Sequence, residues 1–182
     1  MFPFALDANT TLRLLDETDA EMFFGVIQKN RAHLDRWLRW SAGVQTLDDA
    51  RAFLERFAQK ANVDDGFYAG IFQDGVLVGG IVCHYINPTS NKTEIGYWLV
   101  EDAIGKGLVT RSCEVVLKYL FEDRGLHRVE IQCGAENARS RAVPVRLGFV
   151  QEGIKRDSEW ITTRYVDHVV YSMLDHEWRA RA

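Results

Sequence analysis

The chain has 182 residues, enough for one domain with a full core, and its 47% hydrophobic and 26% charged residues are those of an ordinary globular protein. A formal net charge of −4 argues against a general nucleic-acid binder, which would be basic, and suits a cationic substrate weakly. Cys83, Cys113 and Cys133 lack metal-type spacing and read as reduced thiols of a cytoplasmic protein; no signal peptide and no bilayer-length apolar run is legible, so no membrane partner is expected.

Thr11 to Leu15 reads as a short strand. Thr18, with Glu21 three residues on, reads as a capping box opening a helix from Asp19 to about Asn30, with Met22, Phe23, Val26 and Ile27 on one face. In Arg31 to Trp40, Leu34, Trp37 and Leu38 share a helical face. Thr46 caps a further helix to Ala61, with Ala50, Phe53, Leu54 and Phe57 on its apolar side. Two strands, Gly66 to Gln73 and Val76 to Tyr85, meet at Asp74-Gly75, a tight-hairpin signal. Gly79-Gly80 inside the second predicts a bulge or a close backbone approach.

The stretch Glu94 to Thr110 organises the chain. Ile95, Tyr97 and Leu99 alternate on one strand face while Trp98 and Val100 make the other apolar, which predicts a central strand. Gly105 and Gly107 then flank Lys106 at the start of a helix to about Glu122, striped by Val109, Cys113, Val116 and Leu120 and ended by Gly125. Glycine amides at a helix N-terminus make an anion site, although a lone GxG serves equally to shape a turn. No Ser or Thr follows Lys106, as a nucleoside-triphosphate loop requires, and the third glycine of a dinucleotide fingerprint is missing. His127 to Gly134 is a strand, Asn137 to Leu147 a short helix stopped by Gly148, Phe149-Val150 begins a strand, and Tyr165 to Leu174 is the last. The fold class is α+β, a mixed α/β order with antiparallel hairpins first and a strand–helix–strand unit after.

GYWL, then GKG opening a helix, then LHRVEIQCGAENARSRAVPVRLGFVQEG, together resemble the Gcn5-related N-acetyltransferase (GNAT) superfamily. Within it they look like the RimJ/RimL-type acetyltransferases of ribosomal proteins, and most like the YdaF-like branch. The resemblance spans nearly the whole chain, from the early RLL strand through LDRWLRW to DHVVYSML. It implies a single GNAT domain over residues 1–182, with a central, mostly antiparallel twisted sheet flanked by helices. It implies acetyl-coenzyme A as co-substrate and no metal.

The family's pyrophosphate loop, Q/R-x-x-G-x-G/A, falls on Ile104, Gly105, Lys106, Gly107, Leu108 and Val109, continuing to Thr110. Ile104 and Val109 depart from the pattern, but phosphate binding here needs backbone amides. By the same resemblance the backbone of Trp98, Leu99 and Val100 pairs with the pantetheine arm, Asn137 contacts the cofactor near its thiol end, and Arg111, Lys118, Arg139 and Arg141 are candidate phosphate attractors. The resemblance implies Glu159 as general base and Ser140 as general acid or thiolate stabiliser, where many relatives carry a tyrosine in the short helix; an exposed loop carboxylate and a helix-start hydroxyl are the plainer readings of the two.

Glu94, on the central strand, rivals Glu159 as base, since burial would raise its pKa. His84 and His168 are further titratable strand residues. Backbone amides near Leu99 and Val100 are the expected oxyanion donors. Trp37 reads as core, Trp40 and Trp160 as walls of the acceptor channel, and no cysteine is expected to carry the acyl group. The acceptor implied is a protein N-terminal α-amine, by direct ternary-complex transfer, with no direct nucleic-acid contact; relatives often form homodimers. A small-molecule amine is the competing acceptor. A catalytically silent acyl-coenzyme A binder is the competing class, motivated by Ile104 and the missing tyrosine.

Overall fold

The computed structural model describes residues 2–181. Eight strands form one sheet in the order β1-β2-β3-β4-β5-β6-β8-β7. They are β1 (Phe4–Ala5), β2 (Thr10–Leu14), β3 (Phe67–Gln73), β4 (Val76–Asn87), β5 (Lys92–Leu99), β6 (Arg128–Gly134), β7 (Val150–Ile161) and β8 (Arg164–Leu174). Helices α1 (Ala20–Lys29), α2 (Arg31–Leu34), α3 (Arg39–Gly43) and α4 (Leu47–Asn62) lie between β2 and β3. Helix α5 (Leu108–Lys118) crosses from β5 to β6, α6 (Ala138–Arg146) joins β6 to β7, and α7 (Asp175–Arg179) follows β8. All neighbouring strands are antiparallel except β5 and β6, which are parallel, as a strand–helix–strand crossover requires. None of the helices among the described residues is long and apolar enough to cross a membrane.

The sheet separates two apolar layers. One, under α5 and α6, holds Ile81, Ile95, Cys113, Val116, Val129, Ile131 and Tyr171. The other, under α1 and α4, holds Phe23, Ile27, Leu54, Phe57, Tyr68 and Trp98. Strand β5 feeds both, through Ile95 and Trp98, which is why its sequence is apolar on both faces. The Asp74-Gly75 hairpin forms with both residues at positive φ (51° and 77°). The register slips beside it, so that Ile71 pairs with Gly79 but Phe72 with Leu77. Gly79 and Gly80 are a close approach as well: a Cβ on Gly79 would lie 2.4 Å from the Trp98 carbonyl oxygen.

Three local expectations need correction. The first capping box belongs to Asp16 and Asp19, not Thr18 and Glu21; the Asp16 carboxylate accepts from the Thr18 amide and hydroxyl (2.9 and 2.5 Å). Arg31 to Trp40 is not one helical face. Leu38 is extended (φ −123°, ψ 105°), and Arg31 donates to the carbonyls of Ser41 and Val44 (3.1 and 2.6 Å), folding α3 back. The long helix is α-helical only to Lys118 and then widens into a π-turn over Tyr119–Asp123 before Gly125 ends it. Thr46 caps α4 as expected, and Asp49 completes a capping box with it.

A charged ladder crosses the open face of the sheet. Arg128 donates to Glu130 (2.8 Å) and Glu152 (2.8 Å), Lys92 also donates to Glu130 (3.2 Å), and Ser172 donates to Glu152 (2.8 Å). The Arg128 guanidinium holds the Glu152 carboxyl at about 2, below its ordinary range. A depressed carboxylate pKa contributes stability that is present above the ordinary value and lost as pH falls through about 2. Arg128→Met is therefore expected to cost about 2 kcal/mol at neutral pH, chiefly by leaving buried Glu130 short of a partner. The gap between wild type and variant in urea midpoint should narrow as pH falls from about 5 to about 2. A gap independent of pH would exclude the ladder as its source.

Candidate active site

After β5 the chain makes a 3₁₀ turn (Glu101–Ala103) and enters the glycine loop. Gly105 and Gly107 take φ of 86° and 71°, and Gly107 is the N-cap of α5. The first amide to close onto the helix is that of Arg111, onto the Gly107 carbonyl (3.1 Å). The amides from Gly105 to Thr110 thus have no backbone acceptor among the described residues, and they face the positive end of the helix dipole. Ile104 is not part of this set, because its amide donates to Glu101 (3.2 Å). Leu108 and Val109 point into the core, so the off-pattern valine does not obstruct the loop. Thr110 accepts from Arg146 (3.0 Å), tying α5 to α6, and Arg111 is held by Asp7.

The next feature is a gap in the sheet. Strand β5 pairs with β6 only as far as Ile95 opposite Ile131, yet it pairs with β4 as far as Leu99 opposite Gly79. On its β6 side, the backbone of Tyr97 and Leu99 therefore has no ladder partner. Trp98 and Val100 face the other way: Trp98 is in register with Gly80, and the Val100 amide donates to Val78 (2.9 Å). Of the three residues expected to offer backbone to a ligand, only Leu99 lies on the open side, together with Tyr97; Trp98 and Val100 lie on the β4 side. The Trp98 side chain is structural, donating to the Tyr68 hydroxyl (2.5 Å) in the second core layer.

On the α6 side of the gap three polar side chains meet. The Tyr97 hydroxyl donates to the Ser140 carbonyl (2.8 Å), and the Ser140 hydroxyl lies 3.3 Å from Cys133 Sγ and 3.5 Å from the Tyr97 oxygen. Asn137 is the N-cap of α6, its Oδ1 accepting from the Ser140 amide (3.1 Å). It sets the orientation of Ser140, with one donor group left over. Sequence reasoning found Ser140 but missed Tyr97 and placed Cys133 only on an apolar face. The alternation of β5 and β6 held the signal, since both residues point to the α6 layer. Burial pushes the Cys133 thiol and the Tyr97 hydroxyl up, so both are protonated at neutral pH.

On the opposite face lies a second polar group. Gln132 donates to Glu94 (2.7 Å) and accepts from Lys155 (3.1 Å). Burial raises the Glu94 pKa. The His84 ring stands over Gly96, next along β5, and burial lowers its pKa. Glu159 on β7 faces His168 Nε2 at 3.6 Å, and burial lowers the His168 pKa. Glu159 is not on a free loop: it sits on a strand, opposite Val166, with its side chain 32% exposed.

Two of the tryptophans pack differently from expectation. Trp40 stacks on Phe53 (5.2 Å) and Phe23 (5.9 Å) and packs, partly buried, against the aromatic core layer, because the bend after α2 turns α3 inward. Trp37 instead covers Gly134 at the end of β6, where a Cβ would lie 3.4 Å from its ring. Trp160 packs edge-on against Tyr165 (4.9 Å) near the β7–β8 turn and is 49% exposed.

Over residues 9–150 the chain matches the family described as Acetyltransferase (GNAT) domain. It is 36% identical, over 98% of both chains, to a Bacillus subtilis (strain 168) protein named, by inference, as ribosomal N-acetyltransferase YdaF. It is 27% identical, over 90% of this chain and 91% of the other, to the Escherichia coli (strain K12) ribosomal-protein-serine acetyltransferase. Among solved structures, the microcin C7 self immunity acetyltransferase MccE, in complex with acetyl-CoA and AMP, superposes with a TM-score of 0.86 at 25% identity, over 93% of this chain and 94% of the other.

Proposed function

We propose that this chain, which belongs to the GNAT acetyltransferase family and is an acetyl-coenzyme A-dependent N-acetyltransferase, acetylates the N-terminal α-amine of a protein, of the ribosomal-protein kind, in the cytoplasm. The observation that carries the reading is the placement of Glu94 and Glu159 on one face of the β5–β6 gap and Ser140 on the other. Acetyl-coenzyme A supplies the thioester, which enters from the α5–α6 side. The amides from Gly105 to Thr110 hold its diphosphate, and the free backbone edge of Tyr97 and Leu99 holds the pantetheine arm. The acceptor comes from the opposite face, where Glu159 is one-third exposed on an edge hairpin.

An α-amine with a pKa near ~8 is mostly protonated at neutral pH and must lose a proton before attack. Glu159 takes it. Glu94, kept in place by Gln132, holds the ammonium form before deprotonation. The Leu99 amide, free of any ladder partner, is the donor to the carbonyl oxygen. The Ser140 hydroxyl stabilises the leaving thiolate by donating a hydrogen bond to it, with Tyr97 and Asn137 fixing its position. Cys133 stands beside Ser140 but is held as a thiol, so transfer is direct, without an acyl-cysteine.

Mass spectrometry of ribosomal proteins from cells with and without this chain tests the acceptor. The expected result is one or more N-termini acetylated only in its presence. Turnover of small amines with no protein N-terminus modified would overturn it. The cofactor loop has its own test. Gly107→Val is expected to raise the coenzyme A Kd about tenfold, since a β-branched residue is strained at φ 71° and the loop must shift. Isothermal titration that finds an unchanged Kd would remove the loop from the diphosphate site. The fold should hold, because no atom lies within 4 Å of the added Cβ.

A further inference from the structure

We infer that the acceptor opening carries a carboxylate clamp, made by Arg36 and Arg164 over the Trp37 indole, which favours protein N-termini with an acidic side chain in their first few residues. The inference rests on a protein N-terminus being the acceptor. Trp37 covers Gly134, on the same face of the sheet as Gln132 and Glu94, so it stands over the way in to the β5–β6 gap. Two guanidinium groups lie over its ring, Arg36 at 5.3 Å and Arg164 at 5.8 Å from the centroid. They come from different elements, the α2–α3 turn and β8. The two are held together where Thr162 of the β7–β8 turn donates to the Asp35 carbonyl (3.2 Å).

The charges around them are unequally satisfied. The Asp35 carboxylate is occupied by Ser41 (2.7 Å) and Arg31 (3.6 Å). Arg164 pairs with Glu136 (2.6 Å), whose side chain is 69% exposed and can be exchanged for another carboxylate. Arg36 is exposed and has no carboxylate within salt-bridge distance among the described residues. In a chain of net charge −4, a free guanidinium stacked on a tryptophan at the opening is a local positive site.

Deeper in, the polarity reverses. Glu94 and Glu159 face the gap and suit an ammonium. Successive side chains on one strand face, such as Gln132 and Gly134, are about 7 Å apart, and an extended peptide advances about 3.3 Å per residue. With its amine at the level of Gln132, a peptide presents its second to fourth side chains to Trp37. The opening therefore reads a dipolar pattern: cation first, anion shortly after. Guanidinium groups bind carboxylates through paired charge-assisted hydrogen bonds, and the indole beneath keeps their planes fixed.

The test uses the full chain, acetyl-coenzyme A and three synthetic peptides with the same first two residues. Their third and fourth residues are Asp-Glu, Asn-Gln or Lys-Lys. The acidic peptide is expected to have the highest kcat/KM, about tenfold over the neutral one, mainly through KM and weakened by added salt. Arg36→Glu should reverse the order so that the lysine peptide leads, and Arg164→Gln should reduce the acidic preference. Three peptides within about twofold of each other, or an order unchanged in Arg36→Glu, would overturn the clamp while leaving the α-amine reading intact. If none of the peptides is acetylated and a small amine is, the protein-acceptor reading and the clamp fall together.

Discussion

Replacing Glu159 with glutamine is expected to lower kcat by about a hundredfold at neutral pH, the usual size of a lost general base. The change is nearly isosteric and sits on an edge strand, so the fold should persist. Its neighbour His168 cannot take over easily: burial lowers its pKa, making it a weaker base than a free imidazole. The deficit should shrink as pH rises from about 7 to about 9, because an α-amine with a pKa near ~8 then arrives increasingly neutral. A rate measured over that range that matches wild type throughout would exclude Glu159 as the base. Glu94→Gln should differ in kind. Glu94 is read as holding the ammonium, so its loss should raise the acceptor KM more than it lowers kcat.

Gly79→Val is expected to produce the largest loss of stability, about 3 kcal/mol, as overpacking against a backbone that cannot yield. The added Cβ would lie 2.4 Å from the Trp98 carbonyl oxygen and 3.2 Å from the Leu99 Cα. Strands β4 and β5 would have to part where β5 has already left β6. The stretch carrying Tyr97 and Leu99 would then lose its remaining support. Thermal unfolding should show a fall in Tm of roughly 10 °C, and the coenzyme A Kd should rise with it. Gly153→Ala is the control. Nothing lies within 4 Å of its added Cβ, and it should stay within about 0.5 kcal/mol of wild type. A Gly79→Val protein as stable as the control would mean that the β4–β5 contact is not the fixed point of the sheet.

Much of the fold was legible because its signals are local. The Asp74-Gly75 turn, the Thr46 cap, the stripe on α5 and the glycine pair of the loop each depend on residues within one turn or one strand. The failures are those where a distant group intervenes. Asp16 outcompetes Thr18 as a cap because a carboxylate accepts two hydrogen bonds at once. The helical spacing that put Trp37 in the core ignored Arg31, whose grip on two carbonyls further along turns the chain.

The sequence by itself determined the organising strand and loop, Glu94 to Thr110. Apolar alternation, two glycines and a helix start are properties of neighbouring residues, and together they set out a loop of amides suited to an anion. The GNAT resemblance added Ser140 and Glu159. Only the tertiary structure decided which atoms are free to act. Strand register assigned Tyr97 and Leu99, rather than Trp98 and Val100, to the open edge, because alternate residues of a strand point their amides to opposite neighbours. The same register brought Tyr97 to Ser140 across 43 residues of chain and set Glu94 beside Gln132 across 38. Backbone directions and long-range pairings are collective properties of the sheet, and no window of sequence contains them.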